Sequence, residues 1–442
     1  MHSNLITRLI FSFLLGCSWL SRADLYDATL AYQEADYQSA FTQFNHLAQL
    51  GNADAMYNLG VMYLYGQGVE KSTADAFTWF SLAHDFGIPE ALQTAQLVLQ
   101  QANGHHRLKE AMRLQKDSLT KTYLLDLTLS QLEKKETVSA VNKVVDALPK
   151  YPEEAIRQGV EGWVWLEFDI DNNGKAINIE VVDSYPKHTF TASLLNAVEK
   201  WRFSSAKANH SLIYHFATYK GEQYHATLKL QKKDYEQQLM LNIDAAEKGV
   251  AQVQYNIANW LSMEDYNAYQ LLRYHWRTDD PSNRLLLAAA KNDYELAQYR
   301  LAIQLLNRDE KELATLWLEH AAKTMNIARF RLATLLLQNT DEETALIKAL
   351  NMLEQAGYAQ HLRAIILLTN THLNTTQNLE KARYWVNQGL ALDATHPQLL
   401  LLHAKLSSSS AQAKQLLSKA FQSATERGWS TAEIQAFAQQ LK

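Results

Sequence analysis

Asp169, Asp171, Asn173, Gly174 and Glu180 fall at positions 1, 3, 5, 6 and 12 of a calcium-binding loop. Oxygens at that spacing could surround a hard divalent cation, with the glycine permitting the sharp turn. That chemistry requires a helix on each side of the loop, and neither flank reads as one. On one side Trp163, Trp165, Glu167 and Asp169 alternate with Val164, Leu166, Phe168 and Ile170; on the other, Ile177, Ile179 and Val181 alternate between Ala176 and Val182. Period-2 patterning on both sides of an Asn-Gly pair specifies a β-hairpin. The turn accounts for the same letters, because Asp and Asn favour turns and Gly supplies positive φ. The expectation for metal is none.

The elements that must position this hairpin follow it. A helical period begins near Thr189, with Leu194, Leu195, Ala197, Val198 and Trp201 on one face. The segment therefore reads as a small α+β module. Its landmarks are Tyr151-Pro152 with Ala155, Gly159-Val160-Glu161-Gly162 opening the first strand, the Asn-Gly turn, Ser184-Tyr185-Pro186, and a helix ending Lys200-Trp201-Arg202-Phe203. In order and spacing these resemble the C-terminal domain of the TonB family. The resemblance implies a periplasmic module, here residues 146–232, that binds peptide segments of outer-membrane receptors. One departure is Ser204-Ser205, where the family usually has a proline after Trp-Arg-Phe.

Strand addition to an exposed sheet edge is the binding mode such a module would use. The candidate edge lies in Ser211 to Leu230, which alternates around Lys220-Gly221. Ile213, Tyr214 and Phe216 stand before that turn, and Tyr224, Ala226 and Leu228 after it. These six are the candidate peptide-binding residues; the alternative is that both strands simply complete the sheet.

No other constellation carries chemistry. The sequence has no nucleophile elbow, P-loop or His-Glu-x-x-His, and its histidines are scattered. A non-enzyme without a cofactor is the expectation. A chain of 442 residues with 47% hydrophobic and 20% charged residues is an ordered protein of two or three domains. Its net charge of −5, with no extended basic run, argues against a nucleic-acid footprint, and His105-His106-Arg107-Leu108-Lys109 is the nearest approach to a basic patch.

The first residues have the form of a secretory signal (1–23). Arg8 precedes the apolar run Leu9 to Leu20, which is shorter than the ~20 residues of a spanning helix. Ser21-Arg22-Ala23 places small residues for cleavage between Ala23 and Asp24. The alternative uses the single cysteine: Leu14-Leu15-Gly16-Cys17 is similar to a lipoprotein box, and lipidated Cys17 would tether the protein to a membrane.

Residues 24–145 repeat at about 35 residues, the period of stacked helical hairpins. Small residues (Ala40, Ala48, Ala55, Gly60, Ala76, Ala83) mark helix crossings, with Tyr57, Leu59, Met62, Tyr63, Phe77, Trp79 and Phe80 as filling. Gly51 and Gly87 follow apolar helical runs as C-terminal caps do. The stretch Asn52 to Gly87 resembles the Sel-type relatives of the tetratricopeptide repeat. A polar helix is expected over Gln131 to Asn142. Residues 233–442 read as a second, degenerate array around Ala288-Ala289-Ala290, Ala321-Ala322-Lys323 and Ala356-Gly357, with a break at Ser407 to Ser410.

The fold class is thus mostly α, an α-solenoid with a central α+β module. The expected function is a periplasmic protein-interaction scaffold of a Gram-negative bacterium. Its expected partners are TonB-dependent outer-membrane receptors or TonB-system components. One alternative is an energy transducer coupling the proton motive force to receptor transport, against which stand the missing full-length anchor and proline-rich spacer. Another is a cell-envelope assembly factor that uses only the helical arrays.

Overall fold

The computed structural model describes residues 24–101, 106, 109–110, 128–132, 141–218, 232–276, 278–338 and 343–441. The N-terminal array comprises α1 (Leu25–Gln33), α2 (Tyr37–Gln49), α3 (Ala53–Tyr65), α4 (Thr73–Asp85) and α5 (Ala91–Gln101). Side-chain caps start these helices: Asp36 accepts from Ser39 N, Asn52 from Ala55 N and Ser72 from Asp75 N. Each satisfies a backbone N–H that the helix itself cannot. Ala40, Ala48, Ala55, Ala76 and Ala83 are fully buried, as the crossing pattern requires. Gly60 shows why: a Cβ there would stand 2.8 Å from the ring of Phe80.

Helix α6 (Thr128–Leu132) is all that is described of the expected polar helix. Val141 and Asn142 are not helical, and Lys143–Val145 forms a strand, β1, so the sequence expectation fails at its C-terminal end. The strand wins because it has a partner. It pairs antiparallel with β4 (Arg202–Phe203), which the sequence reading had placed at the end of a helix. That helix, α8 (Thr191–Val198), stops earlier. Trp201 then turns into the core and donates its indole N–H to Ala147 O at 2.8 Å.

The central sheet has the order β3–β2–β5, all antiparallel, with β2 Gly162–Ile170, β3 Ala176–Tyr185 and β5 Lys207–Phe216. The hairpin turn closes through Gly174 N to Asp171 O at 2.9 Å, and Gly174 has φ 72°. Short helix α7 (Glu153–Gln158) precedes the sheet. On one face Val164, Leu166, Phe168 and Ile170 form a core with Phe190, Leu194, Val198 and Trp201.

The second array comprises α9 (Lys232–Glu247), α10 (Ala251–Leu261), α11 (Asn267–Leu272), α12 (Pro281–Lys291), α13 (Glu295–Leu306), α14 (Lys311–Ala321) and α15 (Asn326–Leu336). It continues with α16 (Glu343–Tyr358), α17 (Leu362–Asn374), α18 (Leu379–Leu392), α19 (Pro397–Leu406), α20 (Ser410–Arg427) and α21 (Ala432–Gln440). The two arrays touch through a buried amide ladder. Asn52 Nδ2 donates to Asn292 Oδ1 at 2.6 Å, and Asn292 Nδ2 to Gln254 Oε1 at 2.8 Å. Asp24, the first described residue, caps two helices at once: its carboxylate accepts from Asp27 N and from Ala251 N.

Candidate functional site

The second face of the sheet is not solvated. Trp163 and Trp165, both fully buried, share one continuous core with Tyr255, Tyr266, Tyr299 and Trp317 of the second array. Alternate residues of β2 meet helices progressively further along that array. The Trp163 ring lies edge-on to Tyr255 of α10, and Trp165 stacks on Tyr299 of α13. Glu167 accepts the Tyr299 hydroxyl at 2.8 Å and lies 3.7 Å from Arg363 of α17. Asp169 accepts from Arg363 Nη2 at 3.0 Å, and Asp171 from Ser430 N, between α20 and α21, at 2.7 Å. On β3, Asn178 holds His396 and Gln398 at the start of α19.

This arrangement explains the electrostatics. Burial pushes the Glu167 carboxyl above the usual range, against the pull of Arg331 and Arg363. Burial also raises Glu161, although it accepts from the backbone and hydroxyl of Thr218 and from Asn267. His215, against the Tyr266 hydroxyl, and His396 are each lowered to about 4 by burial.

The loop oxygens that matched a calcium motif are already engaged by protein donors. Asp171 Oδ1 accepts Asn173 N and Lys175 N, and Asp169 accepts Asn178 Nδ2 and Asn209 N as well as Arg363. Among the described residues no group of His, Cys, Asp or Glu is placed to hold a metal ion.

Of the six candidate peptide-binding residues, three are described, all on β5. Ile213 packs on the core shared with the second array. Tyr214 and Phe216 pack on the opposite face, where Phe216 stacks on Phe190 with ring centroids 4.4 Å apart. Ile213 and Tyr214 are only partly buried in these packings, and Phe216 is buried. Tyr224, Ala226, Leu228 and the Lys220-Gly221 turn lie outside the described residues, as do Cys17 and Ala23. Sequence reasoning missed Tyr299, Arg331, Arg363 and Asn209. A signal was present: two tryptophans on the face that should have been wet mark a strand buried on both sides.

Among the described residues, β5 and β3 are the two edges of the sheet. β3 breaks register with β2 twice, between Trp165 and Leu166 and between Glu167 and Asp169. β5 keeps unbroken register from Gly162↔Phe216 to Phe168↔His210. Irregular edges resist pairing and regular ones invite it.

Residues 147–217 match the family model for the Gram-negative bacterial TonB protein C-terminal, and residues 53–83 and 357–392 match that for the Sel1 repeat. Among curated proteins, Protein TonB of Yersinia enterocolitica is 39% identical over 62 residues, 14% of this chain and 24% of that protein. Protein TonB of Salmonella typhimurium is 31% identical over 65 residues, 15% of this chain and 27% of that protein. The chain thus spans about a quarter of the length of the curated relatives it matches. A solved structure, a protective antigen of uropathogenic Escherichia coli strains displaying an SLR fold, aligns with TM-score 0.32 and 16% identity. That alignment covers 94% of this chain and 82% of the antigen.

Proposed function

We propose that this protein is a cell-envelope interaction scaffold that captures extended peptide segments of partner proteins by strand addition to β5. The carrying observation is that β5 ends the described strand order and keeps regular register with β2 from Phe216 to His210, in a sheet whose two faces are both packed, one on α8 and the other on the second array. Such a sheet has its backbone edges left for recognition, and main-chain hydrogen bonds supply affinity with little demand on side chains. The match of residues 147–217 supports a Gram-negative periplasmic setting, with TonB-dependent receptors or TonB-system components as the partner class.

The test uses a twelve-residue peptide selected from a random library on the full chain. N-methylation of alternate backbone nitrogens in that peptide removes its ladder hydrogen bonds and leaves the protein untouched. Loss of binding in an anisotropy titration is expected, and unchanged affinity overturns strand addition.

The rival reading, an energy transducer, draws on the same relatives and needs an inner-membrane anchor. No helix among the described residues is long and apolar enough to cross a membrane. The intact mass of protein from envelope fractions decides between them. A terminus at Asp24 supports the soluble scaffold, an acylated Cys17 a tethered one, and an uncleaved Met1 in the inner membrane the transducer.

A further inference from the structure

A cleft of about 670 Å³ opens where the tip of the β2–β3 hairpin and the start of β5 face the last helices of the second array. One wall is strand: Lys207, Ala208 and Asn209, the first three residues of β5. The opposite wall is helix and largely apolar, with Ile366 and Leu367 of α17 and Leu401 of α19, closed by Trp429 and Ile434. The volume lies within the range of sites that enclose a small ligand or a few side chains. The carboxylates at its edge, Asp169 and Asp171, are already engaged by internal donors, so the apolar wall is the part left unsatisfied by the fold.

From this continuity we infer that the cleft is a specificity pocket. It takes a bulky apolar side chain from the end of the peptide that adds to β5. A strand laid along the regular stretch Phe216 to His210 must run past Asn209, where φ is 56° and the edge turns irregular. There Arg331 donates to the Asn209 carbonyl, which ends the template, and the next residues of the peptide enter the cleft. The inference rests on strand addition. It adds that the helical array reads a side chain that the sheet edge alone could not distinguish.

The experiment is a cycle on full-length protein with the library-selected twelve-residue peptide. Selected sequences are expected to share one large apolar residue near one terminus. Asn370→Trp, at an exposed position on the cleft wall, narrows the cleft, and Thr334→Arg charges it from a second helix. Each is expected to weaken binding about tenfold, as does replacing the peptide's anchor by alanine, and the combined loss is expected to be no larger than either alone. Melting curves superimposable on wild type establish that the variants fold. Affinity within twofold of wild type in both variants overturns the pocket while leaving strand addition standing. Loss in the cleft variants with no effect of N-methylation overturns the continuity with β5. Failure to recover any binding peptide overturns both readings.

Discussion

The indole of Trp165 lies stacked on the phenol ring of Tyr299, with ring centroids 5.3 Å apart and planes 27° from parallel. One residue belongs to the middle strand of the sheet and the other to the fifth helix of the second array. Both are fully buried. The contact makes the sheet part of the array's core.

It follows that the sheet and the second array unfold together. Trp165→Ala removes a buried ring and its contacts, and is expected to cost about 3–5 kcal/mol. Chemical denaturation followed by far-ultraviolet circular dichroism and by tryptophan fluorescence should give coincident transitions, both shifted by the substitution. Two separate transitions in the wild type would contradict the shared core.

Arg331 and Arg363 together offset the buried charge of Glu167, and Arg363 also pairs with Asp169. Arg363→Met leaves the buried Glu167 carboxylate with only Arg331 and the Tyr299 hydroxyl to compensate it, at an expected cost of about 1–3 kcal/mol. Glu167→Gln in the same background should restore a large part of it. Burial raises the Glu167 pKa above its unfolded value, so its unfavourable ionisation develops as pH rises through the carboxylate range. The difference between Arg363→Met and wild type should therefore be larger at pH 7 than at pH 4.5, as urea titrations at the two values will read.

His215 and His396 work in the opposite direction. Burial holds both near 4, below the 6.5 of a free imidazole. Their contribution to stability is complete above about pH 6.5 and is lost as pH falls toward 4, because the unfolded chain takes up protons first. Each accounts for at most about 2 kcal/mol between pH 7 and pH 5. His396→Gln should flatten the acid limb of a stability-against-pH curve; an unchanged slope would place His396 in water.

Gly174 supports the hairpin turn at φ 72°, and a Cβ there would come within 2.2 Å of Phe203 O. Gly174→Ala must strain the turn and push apart the Phe203 N to Gly174 O hydrogen bond, 2.8 Å long. A loss of at least ~2 kcal/mol is expected in thermal or urea unfolding.

Much of this architecture was legible in the residues. The hairpin declared itself because a two-residue alternation on each side of Asn173-Gly174 has few other solutions. The array helices declared themselves through alanines and glycines at crossing positions, where size alone decides how closely helices approach. The pairing of Lys143–Val145 with Arg202–Phe203 was not legible, since strands this short have no periodicity and Trp201 read as the last turn of a helix. Nor were the partners of the sheet's second face. Nothing local to Tyr299 or Arg363 encodes which strand residue it will meet, although Trp163 and Trp165 beside Glu167 announced that something would cover them.

Helical solenoids are ordinarily free to gain or lose a repeat, because each unit answers only to its neighbours. In this molecule β2 lies across the units and answers to several of them at fixed positions along its length. The strand therefore acts as a ruler. Inserting or deleting one hairpin between Tyr255 and Ser430 would slide every later partner past its strand residue, so the repeat number of the second array is set by the length of a β-strand.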